Sequence, residues 1–127
     1  MDEEIHSRRS WQEIADMYEQ LVLRSPNWEP MRALVRRLAA APTASELERN
    51  TSMFALLISN APTRHWQENV LRVAFLPDSQ EFEFVYRHYH GDANITEKRC
   101  PVPEAWDTLS RFVRYKFGTL LTEEWSS

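Results

Sequence analysis

The sequence predicts an α+β domain with two N-terminal helices, a four-stranded antiparallel meander and a C-terminal helix, with the helices packed on one face of the sheet. Three observations carry this prediction: a capping motif at Ser10 opens a helical apolar pattern, the apolar period becomes extended after Asn50, and two later segments agree in register.

The chain has 127 residues, of which 43% are hydrophobic. This length suits one domain over 1–127, and we expect loosely held tails at 1–9 and 119–127.

The first two helices are predicted from caps and prolines. Ser10 and Glu13 form a capping box, in which each side chain accepts a hydrogen bond from the other residue's backbone N–H, and apolar residues then recur on one face until Pro26. A second helix begins within 27–30, where proline is tolerated in the first turn, and it ends before Pro42. We expect these helices to form an antiparallel hairpin.

The remaining elements follow from changes of pattern along the chain. The spacing of Thr43 and Glu46 repeats the capping motif, which predicts one short helical turn there. An unbroken apolar run at 53–58 predicts a strand that is buried on both faces. A strict four-stranded meander would leave this run at the sheet edge, where it invites a partner. A fourth strand at 95–100, whose inward face the pattern leaves open, precedes a last helix that begins at Pro103 and is stopped by Gly118.

Two predicted strands, 69–76 and 81–90, flank a four-residue turn, so the apolar pattern of each can be checked against that of the other. If Leu76 pairs with Glu81, the large apolar side chains of both strands share one face. The aligned pairs on that face are Phe75 with Phe82, Val73 with Phe84, and Leu71 with Tyr86. The opposite face pairs Ala74 with Glu83, Arg72 with Val85, and Val70 with Arg87. A slip by one residue would destroy this agreement, so the surface assignments depend on this register.

Residue counts exclude several function classes. Only two glycines occur, Gly91 and Gly118, so neither a dinucleotide-binding fingerprint nor a Walker phosphate loop can be written. The single cysteine, Cys100, cannot form an internal disulfide, and no C-x-x-C pair is present for zinc or redox chemistry. No signal-peptide pattern and no run of 18 apolar residues is present. We expect a cytoplasmic protein that has no cofactor and no contact with a membrane.

The charge balance disfavours nucleic acid as a partner. Fifteen basic and nineteen acidic residues give a net charge of −4, which repels a phosphate backbone unless the basic residues are segregated. Arg32, Arg36 and Arg37 share part of one helix surface and could bind phosphate, but the solvated face of an amphipathic helix has the same pattern. Phosphate or nucleic-acid binding is therefore the third hypothesis.

A polar corner near two histidines is the second hypothesis. His88 and His90 project from the same side of one strand, a spacing that suits a metal ion or acid–base catalysis. The hairpin register places them beyond Tyr86, with His88 opposite Asn69. Either histidine could act as a base, with Asn69 or Tyr86 as the hydrogen-bond donor, in the polar pocket of a small enzyme or ligand-binding domain. No diagnostic spacing supplies further ligands, so an ordinary hydrogen-bonded corner without metal is favoured.

The first hypothesis is a non-catalytic interaction domain that associates with itself or with another protein through its open sheet face and edge. Arg72, Val85, Arg87 and Tyr89 would form this face, and Trp66 with its surrounding loop would form the rim. Arginine and aromatic side chains are enriched at protein interfaces. The absence of any catalytic motif also favours binding over catalysis.

Overall fold

A computed structural model describes residues 9–59, 69–88 and 95–121. The described helices are α1 (Trp11–Arg24), α2 (Glu29–Ala39) and α3 (Ala105–Phe112). The described strands are β1 (Glu48–Ser52), β2 (Ala55–Ser59), β3 (Asn69–Leu76), β4 (Glu81–His88) and β5 (Ile95–Pro101). They form one antiparallel sheet in the order β1-β2-β3-β4-β5, with the helices packed against it. The predicted α+β meander is confirmed, with five strands rather than four.

The predicted capping box starts α1. The Ser10 hydroxyl oxygen accepts a hydrogen bond from the Glu13 N–H at 3.0 Å, and the Glu13 carboxylate accepts one from the Ser10 N–H at 2.9 Å. A 3₁₀ turn at Pro26–Trp28 then leads into α2, which has Pro30 in its first turn. A further 3₁₀ turn occupies Ala44–Glu46, within the predicted short helical segment. None of the described helices is long and apolar enough to cross a bilayer.

The pairing of β3 with β4 has the predicted register. Leu76 lies opposite Glu81, and each following pair matches the alignment derived from the sequence. The side chains on one face are at most 6% exposed and join the core with the helices. They are Leu71, Val73, Phe75, Phe82, Phe84 and Tyr86. The side chains between them therefore project from the opposite face of the sheet.

The additional strand, β1, corrects the prediction that the apolar run at 53–58 lies at the sheet edge. This strand pairs with β2 along its whole length, from Glu48 opposite Ser59 to Ser52 opposite Ala55. β2 is therefore an interior strand, with β1 on one side and β3 on the other. The sequence Glu-Arg-Asn-Thr-Ser of β1 has no apolar alternation that could have predicted a strand.

Met53 and Phe54, which the apolar run assigned to a strand, form the turn between β1 and β2. Their φ angles are 52° and 70°, as a two-residue type I′ turn requires at both central positions. The turn is attached to the helical layer, because the Tyr18 hydroxyl donates a hydrogen bond to the Phe54 carbonyl at 2.9 Å. The Phe54 ring also packs 5.9 Å from the Trp28 ring. Contact with the helices thus holds a turn that contains no glycine.

The C-terminal helix ends as predicted, but the chain beyond it packs on the core. A π-helical turn at Val113–Phe117 follows α3, and Gly118 ends it at a φ of 74°. Thr119 and Leu121 are buried, and the Thr43 hydroxyl donates a hydrogen bond to the Leu120 carbonyl at 2.6 Å. The start of the expected loose tail 119–127 is thus held against the domain. Residues 1–8 and 122–127 lie outside the described residues.

Replacing Met53 by asparagine is expected to stabilise the domain by about 0.5 to 1 kcal/mol, because asparagine tolerates the left-handed conformation that methionine adopts there. The Met53 side chain is 92% exposed, so its removal costs little packing. The midpoint of urea unfolding at constant slope measures the change. The control is Met53→Val, which is expected to lower the midpoint because a β-branched residue resists positive φ. The opposite order of the two variants would contradict this account of the turn.

Candidate functional site

The face of the sheet opposite the described helices is the candidate site. Register places Leu57, Arg72, Val85 and Glu97 in one row across β2 to β5. The neighbouring positions on the same side follow at intervals of two residues along each strand. We call this surface the helix-free face, because none of the described helices packs on it. Its side chains on β2 to β5 include Ala55, Leu57, Ser59, Val70, Arg72, Ala74, Leu76, Glu81, Glu83, Val85, Arg87, Glu97 and Arg99. Of these, Ala55 and Ser59 are fully buried.

Apolar side chains form the middle of the helix-free face, and charged side chains surround them. The apolar members other than Ala55 are half-buried: Leu57, Val70, Ala74, Leu76 and Val85. Arg72, Arg87, Glu97 and Arg99 are exposed. A sheet face with one side on the core and the other in water usually carries polar side chains on the wet side. Half-buried aliphatic groups among exposed charges are instead typical of a surface that binds another protein.

Charges of opposite sign are distributed across the helix-free face. The Arg99 guanidinium lies 3.7 Å from the Glu83 carboxylate and 3.9 Å from that of Glu81. Arg72 and Glu97 share a row but are two strands apart, which is about 10 Å at the usual strand spacing. Among the described residues, Arg72 and Glu97 form no ion pair with one another.

The residues predicted for the interaction surface divide into two groups. Arg72, Val85 and Arg87 lie together on the helix-free face, with Arg72 directly opposite Val85. Tyr89 and Trp66 lie outside the described residues, so their place on the face or its rim stays a prediction. Leu57 and Glu97 also lie on this face, where the sequence pattern had not placed them.

The signals that place Leu57 and Glu97 on this face are weak but present in the sequence. Cys100 lies one residue before the end of β5, is 2% exposed, and faces the helices opposite Phe82. Alternation from Cys100 turns Glu97 to the other side. Placing Leu57 on this face would have required knowing that the turn before β2 lies at Met53 and Phe54. Both residues are apolar, so the sequence pattern assigned them to the strand instead.

Tyr86, predicted for the polar corner, belongs to the hydrophobic core. Its ring lies edge-on at 6.0 Å from the Phe117 ring, and the Lys116 ammonium lies 4.9 Å from its centroid. Burial raises the pKa of the Tyr86 phenol. The backbones of Asn69 and His88 pair as predicted. The side chains of Asn69 and His88, and the whole of His90, lie outside the described part of the molecule, so the pocket itself stays a prediction.

Nearby carboxylates balance two of the helix arginines considered for phosphate binding. Arg32 pairs with Glu29 and, at 3.1 Å, with Glu19. Arg36 pairs with the same Glu19 carboxylate at 2.8 Å. The hydrogen bond from Arg32 is the main cause that lowers the pKa of Glu29. A phosphate at these two arginines would have to compete with carboxylates already in place.

The single thiol of the chain is buried between the sheet and α3. Cys100 is 2% exposed, and a hydrogen bond links its side chain to that of Thr108. Burial raises the pKa of the Cys100 thiol, and the contact with Thr108 only partly opposes this effect. A thiol with a raised pKa is a poor nucleophile, because the thiolate is the reactive form. Cys100 therefore has the surroundings of a core residue.

Comparison with known proteins gave no match to a protein-family model, a curated protein or a solved structure.

Cys100 is expected to react with a soluble disulfide reagent at least about a hundredfold more slowly in the folded protein than in urea, since the thiol must first be exposed. The released chromophore reports this rate directly, because the chain has no other cysteine. Thr108→Val serves as the comparison variant and is expected to remain slow, because burial outweighs the lost hydrogen bond. Rapid stoichiometric labelling of the folded protein would show that the thiol is accessible.

Proposed function

We propose that this protein is a non-catalytic, self-associating domain whose helix-free face binds the same face of a second copy. The observation that carries the proposal is the composition of this face, where half-buried aliphatic side chains are surrounded by balanced charges. On β3 to β5 it holds three arginines and three glutamates: Arg72, Arg87, Arg99, Glu81, Glu83 and Glu97.

This balance of charge favours a second copy as the occupant. The whole chain carries a net charge of −4, so two copies repel one another at long range. On β3 to β5, the three arginines and three glutamates of the helix-free face cancel in charge. Two copies that approach through this face therefore repel one another little. A self-complementary patch is also what a two-fold symmetric interface requires, since each copy contributes the same residues.

The edges of the sheet are less suited to association than its face. The outer strand β5 exposes the charged run Glu97, Lys98 and Arg99, and the outer strand β1 is short and polar. Short strands and charged side chains at a sheet edge oppose the addition of another strand. The helix-free face is therefore the surface through which the domain associates.

The size of this face sets the strength of the expected dimer. Strands β3 to β5 at the usual spacing and four side-chain rows cover roughly 400 Å² on each copy, or roughly 800 Å² in total. Interfaces of this size are smaller than those of most stable complexes and are typical of weak, transient association. Association should therefore be reversible and depend on protein concentration.

Sedimentation equilibrium over a range from about 1 to 500 µM tests the proposal. The apparent mass is expected to rise from 15.1 kDa towards twice that value as concentration increases. A strictly monomeric mass at every concentration would overturn self-association.

Val85→Glu is expected to weaken the dimer more than tenfold, because it places a carboxylate at the centre of the apolar part of the interface. The monomer should still fold, since Val85 is only half-buried on this face. Leu23→Glu is the matched control: Leu23 is 76% exposed on α1, away from the sheet, and its replacement should leave association unchanged. Equal effects of the two variants would move the interface away from the helix-free face.

A further inference from the structure

The orientation of the second copy can be inferred from the positions of the charges on the helix-free face, and this inference rests on the function proposed above. The face has four rows of side chains, defined by the register of β3 to β5. The first row contains Leu76 and Glu81, and the second row contains Ala74, Glu83 and Arg99. The third row contains Arg72, Val85 and Glu97. The fourth row contains Val70 and Arg87.

A symmetric dimer of two facing, aligned sheets has its two-fold axis between the sheets, running either along the strands or across them. An axis along β4 would place Glu81, Glu83 and Arg87 each opposite the same residue of the second copy, and like charges facing one another oppose binding. An axis moved half a strand towards β3 would place these charges opposite aliphatic side chains. Buried charges without partners are costly as well.

We infer that the two-fold axis crosses the strands between the second and third rows. This axis exchanges the first row with the fourth and the second with the third. Arg87 then lies opposite Glu81 of the second copy, and Arg99 lies opposite Glu97 of the second copy. Val70 lies opposite Leu76 of the second copy, which makes an apolar pair. Symmetry produces each of these pairs twice.

The remaining charges are also accommodated by this axis. Arg72 lies opposite Ala74 of the second copy and one strand spacing, about 4.8 Å, from Glu83 of that copy. An arginine side chain can reach this distance and bind the carboxylate. An axis passing through the third row instead would place Arg72 and Glu97 each opposite itself. An axis half a strand towards β5 would pair Glu83 with Arg99 of the second copy, but it would leave β3 beyond the edge strand and out of contact. The axis between the second and third rows keeps β3 to β5 in contact and pairs opposite charges without facing like charges.

The pair formed by Arg87 and Glu81 gives this inference a clean test. The two residues lie six positions apart on β4, about 20 Å along the strand, so they cannot form an ion pair within one chain. Any coupling between them must therefore arise between two copies.

The experiment uses two single charge reversals, Arg87→Glu and Glu81→Arg, studied alone and as an equimolar mixture. Alone, each variant faces like charges across its interface and is expected to self-associate about tenfold more weakly than the wild type. In the mixture, both pairs again have opposite charges, and the heterodimer is expected to recover close to wild-type affinity. Sedimentation velocity with one variant fluorescently labelled measures the heterodimer, and circular dichroism confirms that both variants are folded.

A second mixture, Arg72→Glu with Glu97→Arg, identifies the competing orientation, since only an axis along β4 would place those two residues opposite one another. An axis along β4 would restore both mixtures, because it places residues 81 and 87 each opposite an oppositely charged counterpart in the first. Recovery in the second mixture would therefore overturn the axis between the second and third rows, which predicts recovery in the first mixture alone. If neither mixture recovers while Val85→Glu still disrupts the wild-type dimer, the orientation is wrong and self-association stands. A monomeric wild type would overturn both. The control is Arg111→Glu. Arg111 lies exposed on α3, on the helical side of the sheet, where it pairs with Asp107, and this variant should associate like the wild type.

Discussion

The antiparallel pairing of β3 with β4 is the constraint on which the rest of the structure depends. Its register sends Phe75, Phe82 and Phe84 to the same side of the sheet. Their rings are in contact, with centroids 5.0 Å apart between Phe75 and Phe82 and 6.3 Å apart between Phe82 and Phe84. A slip of one residue would turn one strand's rings away from the other's. Both the helical layer and the composition of the opposite face follow from this one pairing.

The helices complete a hydrophobic core that lies on one face of the sheet only. Side chains of α1 and α2, including Ile14, Tyr18 and Val35, are fully buried against the sheet. Phe112 of α3 stacks on Phe84, with ring centroids 5.8 Å apart and an angle of 12° between the planes. Burying each such side chain contributes about 2 kcal/mol. Because these contacts all lie on one side, the half-buried aliphatic groups on the other side are not part of this core.

The elements that could be predicted from the sequence are those whose side chains carry a periodic signal. The capping box at Ser10 located α1, and the agreement of apolar pairs located β3 and β4. β1 was missed because its residues are polar and its stability comes from backbone bonds to β2, which leave no trace in its own composition. The turn at Met53 and Phe54 was missed because tertiary contacts, rather than glycine or asparagine, hold its left-handed backbone.

The same distinction applies to the candidate site. Arg72, Val85 and Arg87 could be placed because they alternate with core residues in two strands of known register. Leu57 could not, because its strand was read two residues too early, and Glu97 could not, because β5 has few apolar residues to indicate its inward side. Surface assignments from sequence are thus only as good as the register of the strand that carries them.

The order of strands in the sheet also bears on how the chain reaches its native state. Every strand pairs with its neighbour in sequence, so each hairpin closes over a short loop and loses little chain entropy. Sheets built from such local pairings form faster than those that join distant segments. The contacts that span the most sequence lie outside these hairpins, as between Thr43 and Leu120, and the chain loses more entropy in closing them.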